Sequence, residues 1–314
     1  MSDRRVLITG AGGFVGRALA VGFAELGWSV IALDRAFDDP SEHPRIRQVV
    51  ADLEEPVPTD LPGVELVVHG AWVTTDPETL GITDGEYEVG NLAPLTTVLR
   101  FTLDTRPTAF VFLSSSGVFA ASDATDGLTD AHEPTGESPY ARAKRLGEGM
   151  AADGVDAERT AAHVVRLGYL YGPHEVARPS RQGVSLIAHW VTAARAGQPL
   201  EVTSDDPLRE WTFAPDLAAA LERIVERPPA GHPIHLSSRH VYRDSEVAAF
   251  IASDLPSAGI VTVPSKRVVK PPMVPSDVTV LRGFAWTDVP TGLGALQATE
   301  AIDGAGGTVR EIRA

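Results

Sequence analysis

Short runs of apolar residues alternate with longer amphipathic stretches along the first half of the chain. The first run, Val6–Ile8, is followed from Phe14 by apolar residues at helical spacing. A short, uninterrupted apolar run suits a strand that is buried on both faces of a sheet. The pattern therefore predicts a strand, a tight turn and a helix in immediate succession.

The same alternation continues to about residue 170. Further strands are predicted at Trp28–Leu33, Ile46–Val50, Glu65–His69, Ala109–Leu113 and Ala161–Leu167. One helix is predicted from Gly85 to Asp104, and another begins at Ser138-Pro139, where serine is a favourable cap and proline suits the first turn. Strands that alternate with helices are typical of a parallel sheet covered by helices. The predicted fold class is therefore α/β, a doubly wound parallel sheet of the Rossmann type.

Beyond Tyr171 the alternation becomes irregular, which predicts a smaller second unit. The segments predicted there are helices at Gln182–Ala196, Pro215–Arg227 and Asp244–Ala252, and strands at Leu200–Thr203 and Pro233–Leu236. The last of these strands is expected to return to the main sheet. We therefore assign residues 1–171, with returns at about 212–254, to the large domain. Residues 172–211 and 255–314 are assigned to a smaller C-terminal lobe that binds the substrate.

Composition and charge exclude several classes of function. At 314 residues with 43% hydrophobic side chains, the chain can bury a full core. It contains no cysteine, which excludes disulfides, thiolate metal sites and cysteine nucleophiles, and its nine histidines are scattered without the spacing of a metal site. A net charge of −15 argues against binding to nucleic acid. Because no apolar run approaches the length of a membrane span and charged residues precede the first strand, we expect a cytoplasmic protein without a signal peptide.

The turn after the first strand carries three glycines, Gly10, Gly13 and Gly16, in the pattern T-G-x-x-G-x-x-G. Glycines at this spacing permit the tight turn, the approach of a pyrophosphate to backbone N–H groups, and close packing of helix on strand. The second strand ends at Asp34, whose carboxylate is placed to accept hydrogen bonds from ribose hydroxyls and to repel a 2′-phosphate. This favours NAD over NADP as the cofactor, although Arg35 weakens the preference.

Two further strand ends supply candidate ligand contacts. Asp52 and Leu53 follow the third strand, where the acid is suited either to pairing with an adenine amino group or to capping a turn. Ser114, Ser115 and Ser116 follow the fifth strand. Ligands of doubly wound sheets bind beyond the carboxyl ends of the strands, so the serines are placed for chemistry.

Tyr140 and Lys144 are four residues apart on a predicted helix, so both project from one face. A phenol titrates near pH 10, and lowering its pKa to about 7 requires roughly 4 kcal/mol of phenolate stabilisation. A nearby lysine and an oxidised nicotinamide are expected to supply it together. Tyr140 then exchanges a proton with a substrate hydroxyl while hydride moves to or from the cofactor. Ser115 is expected to hold the substrate oxygen, with Ser116 as the second choice.

At this point the chain resembles the extended short-chain dehydrogenases/reductases, also called the NAD-dependent epimerase/dehydratase family. The motifs that carry the likeness follow the family's order over nearly the full length: TGAGGFVG, LDR, ADL, VVHGA, Asn91, FLSSSGVF, SPYARAK, VVRLGYLYGP, REWTFAPD and GFAWTDVPTGL. By this likeness Ser115, Tyr140 and Lys144 form the catalytic triad. The expected cofactor contacts are Gly10, Gly13, Phe14, Val15, Gly16, Asp34, Arg35, Asp52, Leu53, Ala71, Asn91, Tyr140 and Lys144. The expected substrate contacts are Trp72, Ser115, Ser116, Tyr169 and Arg209.

Departures from the family pattern narrow the reaction. The likeness implies an acidic residue just after the catalytic hydroxyl in dehydratases and decarboxylases, where this chain has Ser116 and Gly117. Arg209 matches an arginine that holds the diphosphate of nucleotide sugars, but Tyr169 replaces an asparagine of those enzymes. A small sugar, a sugar acid, another polar alcohol and a nucleotide sugar therefore all stay open as substrates.

Three functions follow from these observations. The first is an NAD-dependent dehydrogenase or reductase acting at a secondary alcohol or ketone carbon of a sugar-like substrate. The second is a nucleotide-sugar 4-epimerase that keeps its NAD bound, and the third is a non-catalytic nucleotide-sensing protein. The resemblance also implies a homodimer that pairs through the helices bearing Asn91 and Tyr140.

Overall fold

A computed structural model describes residues 4–255, 259–265 and 268–296 of the chain. The strands are β1 (Arg5–Thr9), β2 (Ser29–Asp34), β3 (Ile46–Val50), β4 (Leu66–His69), β5 (Ala109–Ser115), β6 (Ala161–Leu167), β7 (Tyr169–Tyr171), β8 (Leu200–Thr203), β9 (Leu208–Phe213), β10 (Ile234–Leu236), β11 (Val241–Arg243) and β12 (Ile260–Val263). The α-helices are α1 (Phe14–Glu25), α2 (Pro77–Leu80), α3 (Asp84–Thr105), α4 (Pro139–Asp153), α5 (Leu186–Arg195), α6 (Leu217–Val225) and α7 (Asp244–Asp254). Residues 289–296 are also helical.

Seven parallel strands form the central sheet, in the order β10-β6-β5-β4-β1-β2-β3. From β1 the strands follow one another through β2 and β3 to one edge of the sheet, and from β4 they follow through β5, β6 and β10 to the other edge. The direction of strand order therefore reverses between β1 and β4. A crevice opens at such a reversal beyond the carboxyl ends of the strands. The predicted doubly wound α/β fold, including the return of β10 to the main sheet, is confirmed.

Successive side chains of β1 point to opposite faces of the sheet. Val6 and Ile8 pack in a cluster with α1 and α6, whereas Leu7 packs in another cluster with α3. All three side chains are fully buried. The glycine turn that follows β1 is therefore attached to a strand held between two hydrophobic layers.

A separate hydrophobic cluster surrounds Trp190 and Trp211. It joins α5, β8, α7 and the helical segment 289–296. Although the sequence division placed α7 with the large domain, Val247 and Ile251 of this helix pack in the second cluster. The division into 1–171 (with returns at about 212–254) and the lobe 172–211 and 255–314 stays a prediction. Residues 256–258, 266–267 and 297–314 of that lobe lie outside the described residues.

Two local features differ from the sequence predictions. The helix predicted over Gln182–Ala196 begins at Leu186, because the Ser185 hydroxyl caps it by accepting the N–H of Ala188 at 3.1 Å. The N–H of Gln182, three residues before this cap, donates to the Thr75 hydroxyl instead of forming a helical hydrogen bond. Strands β7 and β9, which the pattern did not indicate, pair with each other in parallel. A three-residue strand such as β7 is too short to show the alternation of apolar and polar residues that predicts a strand.

Within the three described ranges, none of the helices combines the length and apolar character that crossing a bilayer requires. In the same residues, no group of three or more His, Asp or Glu side chains is arranged to hold a metal ion.

Candidate active site

A cavity of about 420 Å³ lies in the crevice beyond β1 and β4. The structure brings most of the predicted site residues to its lining: Gly10, Gly13, Phe14, Val15, Gly16, Asp34, Arg35, Asp52, Leu53, Ala71, Trp72, Asn91, Ser115, Tyr140, Lys144 and Tyr169. Ser116 and Arg209 are not part of this lining. Residues that are more than 150 positions apart in the sequence therefore share one concave site.

The glycine turn has the shape that a dinucleotide requires. Gly10 has a φ of +71°, and a Cβ there would lie 2.6 Å from the amide nitrogen of Ala71. A Cβ on Gly16 would overlap the carbonyl oxygen of Gly10. At Gly13, the N-cap of α1, no side chain caps the helix, and no acidic residue stands in its first turn. The uncapped N–H groups and the helix dipole thus face the cavity and suit the diphosphate of NAD.

Asp34 supports this turn as well as lining the cavity. Its Oδ2 accepts the N–H of Gly12 at 2.9 Å, and its Oδ1 accepts the N–H of Arg35 at 2.7 Å. The same carboxylate that was predicted to contact ribose therefore also holds the glycine turn against the end of β2. A carboxylate oxygen can accept more than one hydrogen bond, so capacity for ribose hydroxyls is left.

Asn91 fixes the segment that follows β4. It is buried, and its side-chain oxygen accepts the N–H of Val73 at 2.7 Å while its amide nitrogen donates to the carbonyl oxygen of Tyr87 at 3.1 Å. The Tyr87 hydroxyl donates to the carbonyl oxygen of Val73 at 2.5 Å. Asn91 lines the cavity and orders the backbone next to Ala71 and Trp72, and its role as a cofactor contact stays a prediction.

Tyr140 and Ser115 lie side by side at the cavity, since a Cβ added to Gly117 would be 2.7 Å from Cε1 of Tyr140 and 3.2 Å from Oγ of Ser115. Loss of hydration raises the pKa of Tyr140, while the Ser115 hydroxyl and the positive charge of Arg181 oppose that rise. Gly117 therefore leaves room for the Tyr140 ring, a contact that the sequence reasoning missed.

Lys144 lies one turn of α4 beyond Tyr140, as predicted. Its ammonium group donates to the carbonyl oxygen of Leu113 at 2.7 Å and lies 3.9 Å from the centre of the Trp72 ring. Burial lowers the pKa of Lys144 to about 7, while the negative charge of Glu148 acts in the opposite direction. The lysine is thus poised near neutrality, where small changes in its surroundings alter its charge.

A buried ion pair underlies these residues. Glu148, one further turn along α4, accepts hydrogen bonds from Nε and Nη2 of Arg166 at 2.8 and 2.7 Å. It also accepts the hydroxyl of Ser114 at 2.5 Å. This network ties α4 to β5 and β6 directly below Tyr140 and Lys144. The sequence signal for it was an arginine inside the apolar run of β6, since charged groups are rarely buried unless they are paired.

Ser116 is buried against a lysine from the C-terminal part of the chain. The ammonium group of Lys270 donates to the Ser116 carbonyl oxygen and to its hydroxyl, the latter at 3.0 Å. Burial lowers the pKa of Lys270 to about 8, while the negative charge of Glu210 acts against this shift. Burial likewise raises the pKa of Glu210 to about 7. The sequence offered no local signal for this contact except the scarcity of lysine.

Arg209 pairs with an acid, Asp244, that lies 35 residues further along the chain. Its Nε and Nη2 donate to the two carboxylate oxygens of Asp244 at 2.8 and 3.1 Å. The guanidinium also lies 4.8 Å from the centre of the Tyr169 ring. Asp244 therefore neutralises the charge of this arginine. The role of Arg209 as a substrate anchor stays a prediction.

Arg181 is a cavity residue that the sequence reasoning missed. It lies on residues 174–185, which we call the crossing loop, and its guanidinium is 5.1 Å from the centre of the Phe14 ring. Its Nη2 bonds to Glu175, whereas the buried Nη1 has no hydrogen-bond partner among the described residues. The sequence placed these residues partly in a helix, so the loop was not expected to line the site.

Comparisons with known proteins identify the family and the fold. The sequence profile of the NAD dependent epimerase/dehydratase family matches residues 6–237. The chain is 28% identical over 196 residues to a 2-alkyl-3-oxoalkanoate reductase of Stenotrophomonas maltophilia, a match that covers 57% of this chain and 56% of the reductase. It spans less than two thirds of the length of the first curated relatives that it matches.

Two solved structures are similar over nearly the whole chain. An epimerase from Methanothermobacter thermautotrophicus has a TM-score of 0.79 at 23% identity, covering 96% of this chain and 93% of the epimerase. A dTDP-glucose 4,6-dehydratase from Streptomyces venezuelae, solved with NAD and TYD bound, has a TM-score of 0.75 at 20% identity and covers 96% of this chain and 98% of its own. At these identities the likeness shows a shared fold.

Proposed function

This chain belongs to the NAD-dependent epimerase/dehydratase family, and on that premise we propose that it transfers hydride at a secondary alcohol or ketone carbon of a sugar or sugar-like substrate. Tyr140 is the general acid/base of this proposal. The observation that carries it is the position of Tyr140 and Ser115 side by side at a cavity that also contains the glycine turn.

Tyr140 is the group that moves the proton. Because its pKa is raised, the phenol is protonated at neutral pH and is ready to donate its proton to a substrate carbonyl oxygen. Accepting a proton in the opposite direction requires positive charge nearby. Arg181 already acts on Tyr140 in this sense, and Lys144, whose pKa burial lowers to about 7, lies on the same helix face.

Ser115 positions the oxygen that Tyr140 protonates. Its Oγ accepts the N–H of Gly117 at 2.9 Å, which fixes the orientation of the hydroxyl next to Tyr140. A substrate oxygen between these two hydroxyls receives hydrogen bonds from both, and the bonds strengthen as negative charge develops on it. Trp72 and Tyr169 provide apolar surface on which a sugar ring can lie.

The residues that hold NAD in this proposal are the glycine turn, Asp34 and the segment ordered by Asn91. NAD itself, when bound, accepts or returns the hydride. The α1 N–H groups face its diphosphate, and Asp34 faces the adenosine ribose. The negative charge of Asp34 supports NAD over NADP.

A nucleotide-sugar 4-epimerase with tightly bound NAD is the second candidate. The observation that favours it is the crossing loop, which contributes Val176, Arg178, Ser180 and Arg181 to the cavity lining. An enclosed cofactor is suited to reactions that return the hydride to the same substrate. Against a diphosphate bound at Arg209 stands the ion pair of that residue with Asp244.

A homodimer and a cytoplasmic location complete the proposal. Val89 on α3 and Leu146 on α4 are apolar side chains with 67% and 51% exposure, and the two helices pack side by side. Pairing of this surface between two copies would bury both residues. The mass in solution by light scattering tests the dimer, and cell fractionation tests the location.

The decisive experiment is a panel of nucleotide sugars, sugar acids and polyols, each supplied with NAD or NADP and monitored for reduced cofactor and for product. A dehydrogenase accumulates reduced cofactor, whereas an epimerase forms product without it. Tyr140→Phe is assayed in parallel and is expected to lower turnover by about 10²- to 10⁴-fold while binding NAD normally. Equal turnover by this variant removes Tyr140 as the acid/base.

A further inference from the structure

The crossing loop is attached at both sides of the glycine turn. On the β4 side, the carbonyl oxygen of Ser180 accepts the N–H groups of Thr74 and Thr75 at 2.8 and 3.2 Å. The Thr75 hydroxyl donates to the carbonyl oxygen of Pro179 at 2.8 Å and accepts the N–H of Gln182 at 3.0 Å. The loop is therefore fixed to the segment that Asn91 orders.

On the β2 side, the guanidinium of Arg178 forms an ion pair with Asp38, which follows the end of β2. In the sheet, β1 lies between β2 and β4, with neighbouring strands about 4.8 Å apart. The loop is thus attached to the segments that follow the two strands on either side of β1, and it lines the same cavity as the glycine turn. Its two attachments place Arg181 above the start of α1.

The Arg181 guanidinium is oriented by a buried acid on its own loop. Glu175, with a side chain only 1% exposed, accepts one N–H from Nη2 of Arg181 and also accepts the N–H and hydroxyl of Ser185. The guanidinium lies over the ring of Phe14, the first residue of α1. Its buried Nη1 has no partner within the part of the chain that the structure describes.

A buried donor that lacks a protein partner marks a place for an acceptor from a ligand. Here the neighbouring donors are the uncapped N–H groups of α1, which also require an acceptor. The Arg181 side chain is 27% exposed and lines the same cavity as the start of α1, so a doubly charged, oxygen-rich group bound there would meet both sets of donors. We propose that Arg181 binds the diphosphate of NAD from the side opposite to α1, so that the crossing loop clamps the cofactor in place.

Arg181 is better suited to this role than Arg209 is to binding a phosphate. Arg209 forms two hydrogen bonds to the buried carboxylate of Asp244, through Nε and Nη2, whereas Arg181 forms one to Glu175 through Nη2 and its Nη1 has no partner within the described ranges. A guanidinium with a free arm can form a charge-assisted hydrogen bond to a phosphate oxygen. The inference rests on the NAD dependence of the family and not on the substrate.

The test measures nucleotide binding without turnover. Wild type and Arg181→Met are titrated by calorimetry with NAD, with ADP-ribose, which keeps the diphosphate but lacks nicotinamide, and with adenosine, which lacks both. Loss of one charge-assisted hydrogen bond is expected to weaken NAD and ADP-ribose by about tenfold to hundredfold. Adenosine affinity is expected to stay within about threefold, since adenosine has no group for Arg181 to bind.

Three further variants separate direct binding from a structural effect. Arg282→Met removes an exposed arginine that pairs with Asp277 outside the cavity, and it should leave all three affinities unchanged. Arg181→Lys keeps the charge and should recover part of the loss. Glu175→Gln weakens the support of the loop but leaves Arg181, so its effect on ADP-ribose should be clearly smaller than that of Arg181→Met. If Arg181→Met does not fold, Arg181→Gln takes its place in the same comparison.

Two results overturn the proposal. One is an ADP-ribose affinity within about threefold of wild type in the Arg181 variant, which is expected if Arg181 contacts the substrate or the nicotinamide instead. In that case, weakened binding of UDP-glucose by the same variant would show that Arg181 contacts the substrate. The other is an equal loss in Glu175→Gln, which would assign the effect to the loop. Neither result depends on whether Tyr140 is the acid/base, so this inference and the proposed function fail separately.

Discussion

The two sides of the cavity depend on contacts of very different sequence separation. On the cofactor side, the glycine turn is held by Asp34, only 22 residues from its partner Gly12. Next to the lining residue Ser115, by contrast, Lys270 contacts Ser116 across 154 residues, and Glu210 accepts the N–H of Met273 across 63 residues. The glycine turn and the acid that holds it are therefore a local unit that one stretch of sequence can specify, whereas the contacts of Ser116 and Glu210 form only when distant segments have come together.

The largest effect is expected from an added methyl group in the local unit. In Gly16→Ala, the new Cβ overlaps the carbonyl oxygen of Gly10, so α1 must move away from β1. We expect a loss of about 3 kcal/mol in the free energy of unfolding together with loss of NAD binding, both measured on the purified variant by urea unfolding and calorimetry.

Gly149→Ala is the matched control for this substitution. Gly149 is exposed within α4, and a Cβ there meets no atom within 4 Å. Removing a glycine from a helix interior should raise the free energy of unfolding by about 0.5 to 1 kcal/mol and leave NAD binding unchanged. A Gly16→Ala protein as stable as wild type and able to bind NAD would show that the turn is less constrained than its geometry indicates.

The same contrast explains which features the sequence could predict. The glycine spacing, the acid at the end of β2 and the four-residue step from Tyr140 to Lys144 are local patterns, and all these residues line one cavity. The ion pair of Arg209 with Asp244 depends on a contact 35 residues away, which no local period reveals. The crossing loop was missed for a related reason, because its conformation is set by hydrogen bonds to Thr75 rather than by its own pattern.

Lys270→Met should have the next largest effect, and on the substrate side. The change removes the donor to the buried carbonyl oxygen of Ser116 and the cation that faces Glu210, which should cost about 2 kcal/mol in the free energy of unfolding. Because the Ser115 turn loosens, kcat should fall about tenfold once a substrate is known, while NAD affinity stays unchanged. Lys270→Arg keeps the charge and should recover part of the stability. A change in NAD affinity equal to the loss in kcat would contradict the separation of the two sides.

Lys144→Met should stabilise the protein at neutral pH while impairing turnover. The folded-state pKa of Lys144 is about 7, well below its ordinary value of 10.5, because burial disfavours the charge. Below pH 7 the lysine is charged in both the folded and the unfolded state, so the full cost of burying the charge is present. Between pH 7 and 10.5 the folded state has released the proton while the unfolded state still holds it. The wild type therefore gains stability as the pH rises through this range. At pH 6 the free energy of unfolding of the variant should exceed that of wild type by about 1 to 2 kcal/mol. This figure allows for the stability lost with the Leu113 and Trp72 contacts, and the difference should be smaller at pH 9.5. Urea unfolding at both pH values measures this, and an advantage that grows with pH would contradict it.

Asp34→Asn probes the smallest effect and separates two roles of one carboxylate. If Asp34 selects the cofactor through its charge, its neutralisation should narrow the preference for NAD over NADP by about fivefold, or about 1 kcal/mol, because repulsion of the 2′-phosphate is lost. If Asp34 serves only to hold the N–H of Gly12, binding of both cofactors should weaken by the same factor. Asp52→Asn provides the comparison, since Asp52 lies at the end of the neighbouring strand and accepts the N–H of Glu54, so it should not alter the ratio of the two affinities. Calorimetric titration of NAD and NADP into the three proteins decides between these roles, and it shows whether the most local part of the site sets specificity or only shape.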